Sequence, residues 1–173
     1  MAKNSAMKHY VEDILNNPLL KNKALGNLDI CYYSDIEEKP TVAIPTGCPE
    51  IDYQLLGPEL GGFPVGRIVE LFGPESGGKS TIGLKVIAQA QKMGYPCLLC
   101  DVERSYGDGP GREWLRKIGI DLSPNGLLYS REIIAEKIFQ LVHVAFKAGV
   151  KVIMIDSIAA MVPKKESIEE LSA

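Results

Sequence analysis

The stretch GPESGGKST, residues 73 to 81, limits the fold of this chain more than any other part of its sequence. It follows the apolar run RIVELF, residues 67 to 72, and precedes a segment in which Ile82, Val86, Ile87, Ala90 and Met93 share one helical face. Glycine lets the backbone take positive φ and bring its amides close to an anion, and a helix start behind it adds roughly half a positive charge. Gly73, Gly78, Lys79 and Ser80 meet the spacing G-x-x-x-x-G-K-[ST] in the strand-to-helix context that the motif requires. The bland alternative, a glycine-rich turn with a solvated lysine, is disfavoured by those flanks. The expected order is a strand over 67–72, the loop, and a helix closed by Gly94 and Pro96.

The remaining pattern extends that unit. TGCPEIDYQL predicts a short helix, and GPELGGFPVG delivers the chain into the strand at 67–72. Downstream come a strand at CLLCD, a helix around REWLRKIG, a short strand at LLY, a long helix from about Glu132 to Ala148, and a strand at VKVIMID. Strands that are apolar almost throughout, alternating with helices, imply an α/β protein with a parallel sheet covered on both faces. Residues 1–40 read as a separate N-terminal segment: an amphipathic helix over residues 5–17, capped by Asn4 or Ser5, then a strand at LDICYYS and a polar linker at DIEEKP. The core is expected over 41–173.

The glycine loop has a chemistry. The backbone of Gly73, Pro74, Glu75, Ser76, Gly77 and Gly78 is expected to form a nest for phosphate, with Lys79 meeting the β- and γ-phosphates, Ser80 ligating Mg2+, and Thr81 supporting the α/β-phosphate side. Asp156 ends an apolar strand, where a carboxylate needs a cation or donors, and it is the second candidate on the magnesium side. A plain cap for the following turn competes with that role. Glu103, two residues beyond Asp101 at another strand end, is the candidate for orienting the attacking water. Its competing reading is a solvated acid paired with Arg104, while Asp101 reads as a turn cap.

Composition sets bounds on partners. The 173 residues carry a formal charge of −3, so there is no general basic surplus for nucleic acid. No run approaches a membrane span and the N-terminus lacks a signal peptide's apolar centre, which leads to the expectation of a cytosolic protein. Cys97 and Cys100 lie three apart on a buried strand and point to opposite faces, so they read as core residues and not as a zinc or disulfide pair. Cys31 and Cys48 have no partner spacing, and His9 and His143 have no nearby ligand set.

From about Thr46 to Pro163 the chain resembles the bacterial and phage RecA-type recombinases. TGCPEID, GGFPVGRIVELFGPESGGKST, VIAQAQKMG, DVE, LRKIGID and VIMIDSIAAMVPK occur in the family's order. The resemblance implies a RecA-like P-loop ATPase using ATP and Mg2+, with Glu103 at the catalytic glutamate position and Asp156 and Ser157 at the magnesium site. It also implies that the complete protein forms a homo-oligomeric filament on single-stranded DNA, with the N-terminal segment packed on a neighbouring subunit, in a bacterial cell or phage-infected host. Trp114 aligns with an aromatic that stacks on the base, and Asp108 is a candidate for reading its amino group. About four extra residues between Glu103 and LRKIGID, YGDGPG included, depart from the family. The DNA-binding loops of relatives lie beyond MVPK, so the chain resembles the N-terminal part of a recombinase and is expected to be truncated. Two rival readings are a non-catalytic subunit that caps a full-length recombinase and another ATPase of the superfamily, such as a helicase-type motor.

Overall fold

The structure, a computed structural model, describes residues 12–14, 16–18, 33–35, 42–124 and 126–165. Met1–Pro40 and Thr41–Ala173 form two compact units. In the first, residues 12–14 are helical and Tyr33–Asp35 is a 3-10 turn. The end of the expected LDICYYS strand thus turns instead, with Ser34 donating to the Asp35 carboxylate, a local bond that competes with extended structure. The caps Asn4 and Ser5, His9, Cys31 and most of the expected helix and strand lie outside the described residues.

In the second unit, strand β1 (Ala43–Ile44) pairs antiparallel with β2 (Phe63–Pro64), on either side of helix α1 (Pro49–Leu60). Buried Thr46 donates its amide to Asp52 and accepts from Cys48 through its hydroxyl, fixing the entry to α1. The helix outlasts the expected TGCPEIDYQL, with a break at Gly57, where φ is 77°.

The main sheet is parallel, in the order β4 (Leu127–Ser130), β3 (Cys97–Asp101), β5 (Val152–Asp156). Helix α2 (Lys79–Lys92) precedes β3, α3 (Gly109–Ile118) links β3 to β4, and α4 (Ala135–Lys147) links β4 to β5. Strand alternation sorts the core into two layers. Cys97 and Leu99, with Val152 and Met154, face a cluster that contains Leu84, Ile87, Tyr106, Leu115 and Ile120. Leu98 and Cys100, with Ile153 and Ile155, face Ile138, Ala145 and Val150. The two cysteines do point to opposite faces, and burial pushes both thiols up to about 11. Met93, assigned to the apolar face of α2 from periodicity, is exposed, and Leu84 is the fully buried residue that the pattern missed.

One expected strand does not form. Residues 67–72 make no ladder among the described residues; Ile68 is 102 % and Phe72 88 % exposed. A strand exists through pairing, and apolar content alone does not supply a partner. No described helix is long and apolar enough to cross a membrane.

Candidate functional site

The glycine loop leads directly into α2. Gly73 has φ 149° and Gly78, the residue before the helix, has φ 83°, so both use backbone conformations that side chains disfavour. Ser76 joins them at φ 57°. No side chain caps the first turn of α2, which leaves its amides to an external acceptor or solvent. Among the described residues the Lys79 ammonium forms no ion pair. It donates to the carbonyls of Gly73 at 2.9 Å and Pro74 at 2.7 Å, and so lies over the loop it belongs to.

Helix and strand periodicities bring that loop to Asp156. Ser80 and Gly83 are three apart on α2, and Met154 and Asp156 are two apart on β5, so each pair shares a face. Gly83 meets Met154 closely: a Cβ at position 83 would stand 2.9 Å from the Met154 sulfur. With Gly83 seated on Met154, the start of α2 lies toward the strand end that carries Asp156. A residue not singled out from the sequence joins the two: the Tyr106 hydroxyl donates to Asp156 Oδ2 at 2.8 Å. Burial and then the Asp156 hydrogen bond raise the Tyr106 phenol well above its ordinary value, while a Ser80 hydrogen bond acts in the opposite direction. The peptide between Asp156 and Ser157 is cis.

Asp101 is more than the simple turn cap that the sequence suggested. It is 0 % exposed and accepts from the amides of Ser105 (2.9 Å) and Tyr106 (2.8 Å), and from the Tyr129 hydroxyl. Burial and the Asp101 hydrogen bond push the Tyr129 phenol up to about 12. Either tyrosine is hard to pick out from sequence, because each lies in a short polar or strand segment with no spacing motif. The one usable signal is that a buried strand-end carboxylate must find donors nearby.

The other expected residues fall in three places. Glu103 is exposed just past β3, and its amide donates to the Asp156 carbonyl at 3.3 Å, which ties its backbone to the end of β5. No ion pair joins it to Arg104 among the described residues. Asp108 caps α3, accepting from the Gly111 amide at 2.9 Å, so one of its oxygens already has a structural role. Trp114 lies on α3 and is 45 % exposed. No hydrogen bond among the described residues links Asp108 or Trp114 to residues 73–81.

Residues 14–173 match the family model described as the RecA N-terminal domain. The chain is 38 % identical over 145 residues to Protein RecA of Mannheimia haemolytica, covering 83 % of this chain and 37 % of that protein. It is 38 % identical over 146 residues to Protein RecA of Nautilia profundicola, covering 84 % and 39 % respectively. Against Protein RecA of Pseudomonas fluorescens the identity is 39 % over 145 residues, covering 83 % and 39 %. The chain therefore spans about two fifths of the length of these relatives. The parallel sheet, the glycine loop opening α2 and this match over nearly all of the sequence lead to one conclusion: the chain belongs to the RecA family, of which it carries the N-terminal domain.

Proposed function

We propose that the chain binds ATP with Mg2+ between residues 73–81 and Asp156, and that it is the nucleotide-binding core of a RecA-type recombinase. The observation that carries this reading is the approach of the start of α2, which Lys79 opens, to the Asp156 end of β5: Gly83 lies against Met154, and Tyr106, which donates to Asp156, also feels Ser80. The loop amides and Lys79 would hold the phosphates, and two of the three ammonium donors already point at loop carbonyls. The donor set suits magnesium. It consists of one hydroxyl, Ser80 at the start of α2, and one carboxylate, Asp156 at the end of β5. Magnesium is commonly held by one or two protein oxygens, substrate phosphates and water, not by a full protein cage. When bound it would neutralise phosphate charge.

Glu103 is proposed to orient the water that attacks the γ-phosphate, since its backbone is tied to the Asp156 end of the sheet and its side chain is free of an Arg104 ion pair. Trp114 and Asp108 are proposed to face the base. Asp108 would do so with the oxygen that does not cap α3. In the complete protein this core is proposed to act in an ATP-dependent filament on single-stranded DNA, with residues 1–40 contacting a neighbouring subunit, in the cytoplasm. Calorimetry with a non-hydrolysable ATP analogue tests the site. Lys79→Ala should weaken binding at least about a hundredfold, and unchanged affinity would remove the phosphate assignment. Glu103→Gln should bind as wild type does and lose any turnover the wild-type chain shows; equal turnover would reassign the water-orienting role.

A further inference from the structure

The residues after Glu103 carry the tyrosine that touches Asp156. A buried phenol needs an acceptor, and in many proteins that is the whole explanation of such a contact. Two features set Tyr106 apart. Its acceptor is the candidate magnesium-side carboxylate. Its own position is also held from several directions. Fully buried Asp101 accepts from the amides of both Ser105 and Tyr106, and Tyr129 donates to the same Asp101 oxygen as Tyr106 does. On the far side Gly111 admits the loop backbone: a Cβ there would stand 2.3 Å from the Ser105 carbonyl oxygen and 2.7 Å from the Tyr106 Cα. The ring itself is packed in the core, 8 % exposed. The Tyr-Gly-Asp-Gly-Pro-Gly segment thus contributes the phenol, the cap Asp108 that starts α3, and the bare glycine against which the loop is laid.

We propose that Tyr106 is a positioning residue for Asp156: its O–H holds Oδ2 and sets the orientation of the carboxylate, so that Mg2+ meets a prearranged ligand. This inference rests on the nucleotide-site reading above and adds a residue to it. Groups that orient a metal ligand without touching the metal alter metal affinity more than they alter the fold. A positioning role therefore separates from a packing role in Tyr106→Phe, which keeps the ring and removes only the hydroxyl.

The test is a Mg2+ titration of fluorescent ATP-analogue binding to the 173-residue chain, alongside the same titration without metal and a thermal melt. For Tyr106→Phe the Mg2+ concentration at half effect should rise about tenfold or more, while metal-free affinity stays within about twofold of wild type. In an Asp156→Asn background, adding Tyr106→Phe should produce no further change, because the two act as one unit. An unchanged Mg2+ midpoint overturns the proposal and leaves the nucleotide site standing. Parallel loss with and without metal also overturns it, in favour of packing. If the wild-type chain binds no nucleotide and Lys79→Ala behaves identically, the site reading falls and this inference falls with it.

Discussion

Residues 67–72 and the strands β3 and β5 look alike as sequence and differ in the folded chain. RIVELF, CLLCD and VIMID are each short and mostly apolar, and each ends on or within two residues of a candidate site residue: Gly73, Glu103 and Asp156 respectively. CLLCD and VIMID lie side by side in a parallel ladder, with Asp101 opposite Asp156. RIVELF leaves Ile68 and Phe72 in solvent. The difference lies in what surrounds each segment. β3 has a strand on either side and a packed layer on either face, whereas 67–72 has no ladder partner among the described residues. Hydrophobic content states what a segment gains by pairing; the partner decides whether it pairs. The consequence for the site is an asymmetry. Its Asp156 side is carried on a strand paired to the buried β3, and the loop that leads to Lys79 is anchored mainly through α2.

Substitutions at the two regions should therefore differ sharply. Asp101→Ala strands the buried Tyr106 amide and takes the acceptor from the part-buried Ser105 amide and Tyr129 phenol, and should cost about 3 kcal/mol or more in urea unfolding; a loss below 1 kcal/mol would mean that water serves these donors and the strand end is not sealed. Tyr129→Phe removes one donor from the same carboxylate and should cost about 1–2 kcal/mol. It also has a pH signature. The Tyr129 phenol is raised in the fold from 10 to about 12, so the stability it contributes is present below pH 10 and lost as pH rises through 12. The variant should show a shallower alkaline loss than wild type over that window, and identical alkaline melting curves would remove the bond from the account. Ile68→Ser should change stability by less than about 0.5 kcal/mol, because a side chain already in water forfeits little. A loss above 1 kcal/mol would show 67–72 to be packed in solution and would erase the contrast.

Much of the fold and part of the site can be seen in the sequence. The helix after the glycine loop, both core strands, the opposite facing of Cys97 and Cys100, and the α/β class follow from periodicity and from glycine placement. These are local properties, written within ten or twenty residues. What escapes such reasoning is long-range. The Tyr106–Asp156 bond joins residues fifty apart and the Tyr129–Asp101 bond residues twenty-eight apart, and neither has a spacing rule. The unpaired run at 67–72 escapes for the same reason, since a missing neighbour leaves no local trace. The capping role of Asp108, by contrast, has a local signal, because Asp followed by Gly-Pro suits the start of a helix.

The closeness of Gly83 to Met154 has one more implication, for how the chain can vary. Those two positions share a single volume, so a methyl group added on the helix makes the flexible thioether end of Met154 swing aside, and a larger group needs that side chain to become smaller. Descendants of this sequence should accept alanine at 83 with Met154 kept, and should pair any larger residue at 83 with a smaller one at 154. A large residue at 83 opposite an unchanged Met154 would press the helix against the sheet at the point where α2 begins to approach the Asp156 end of β5.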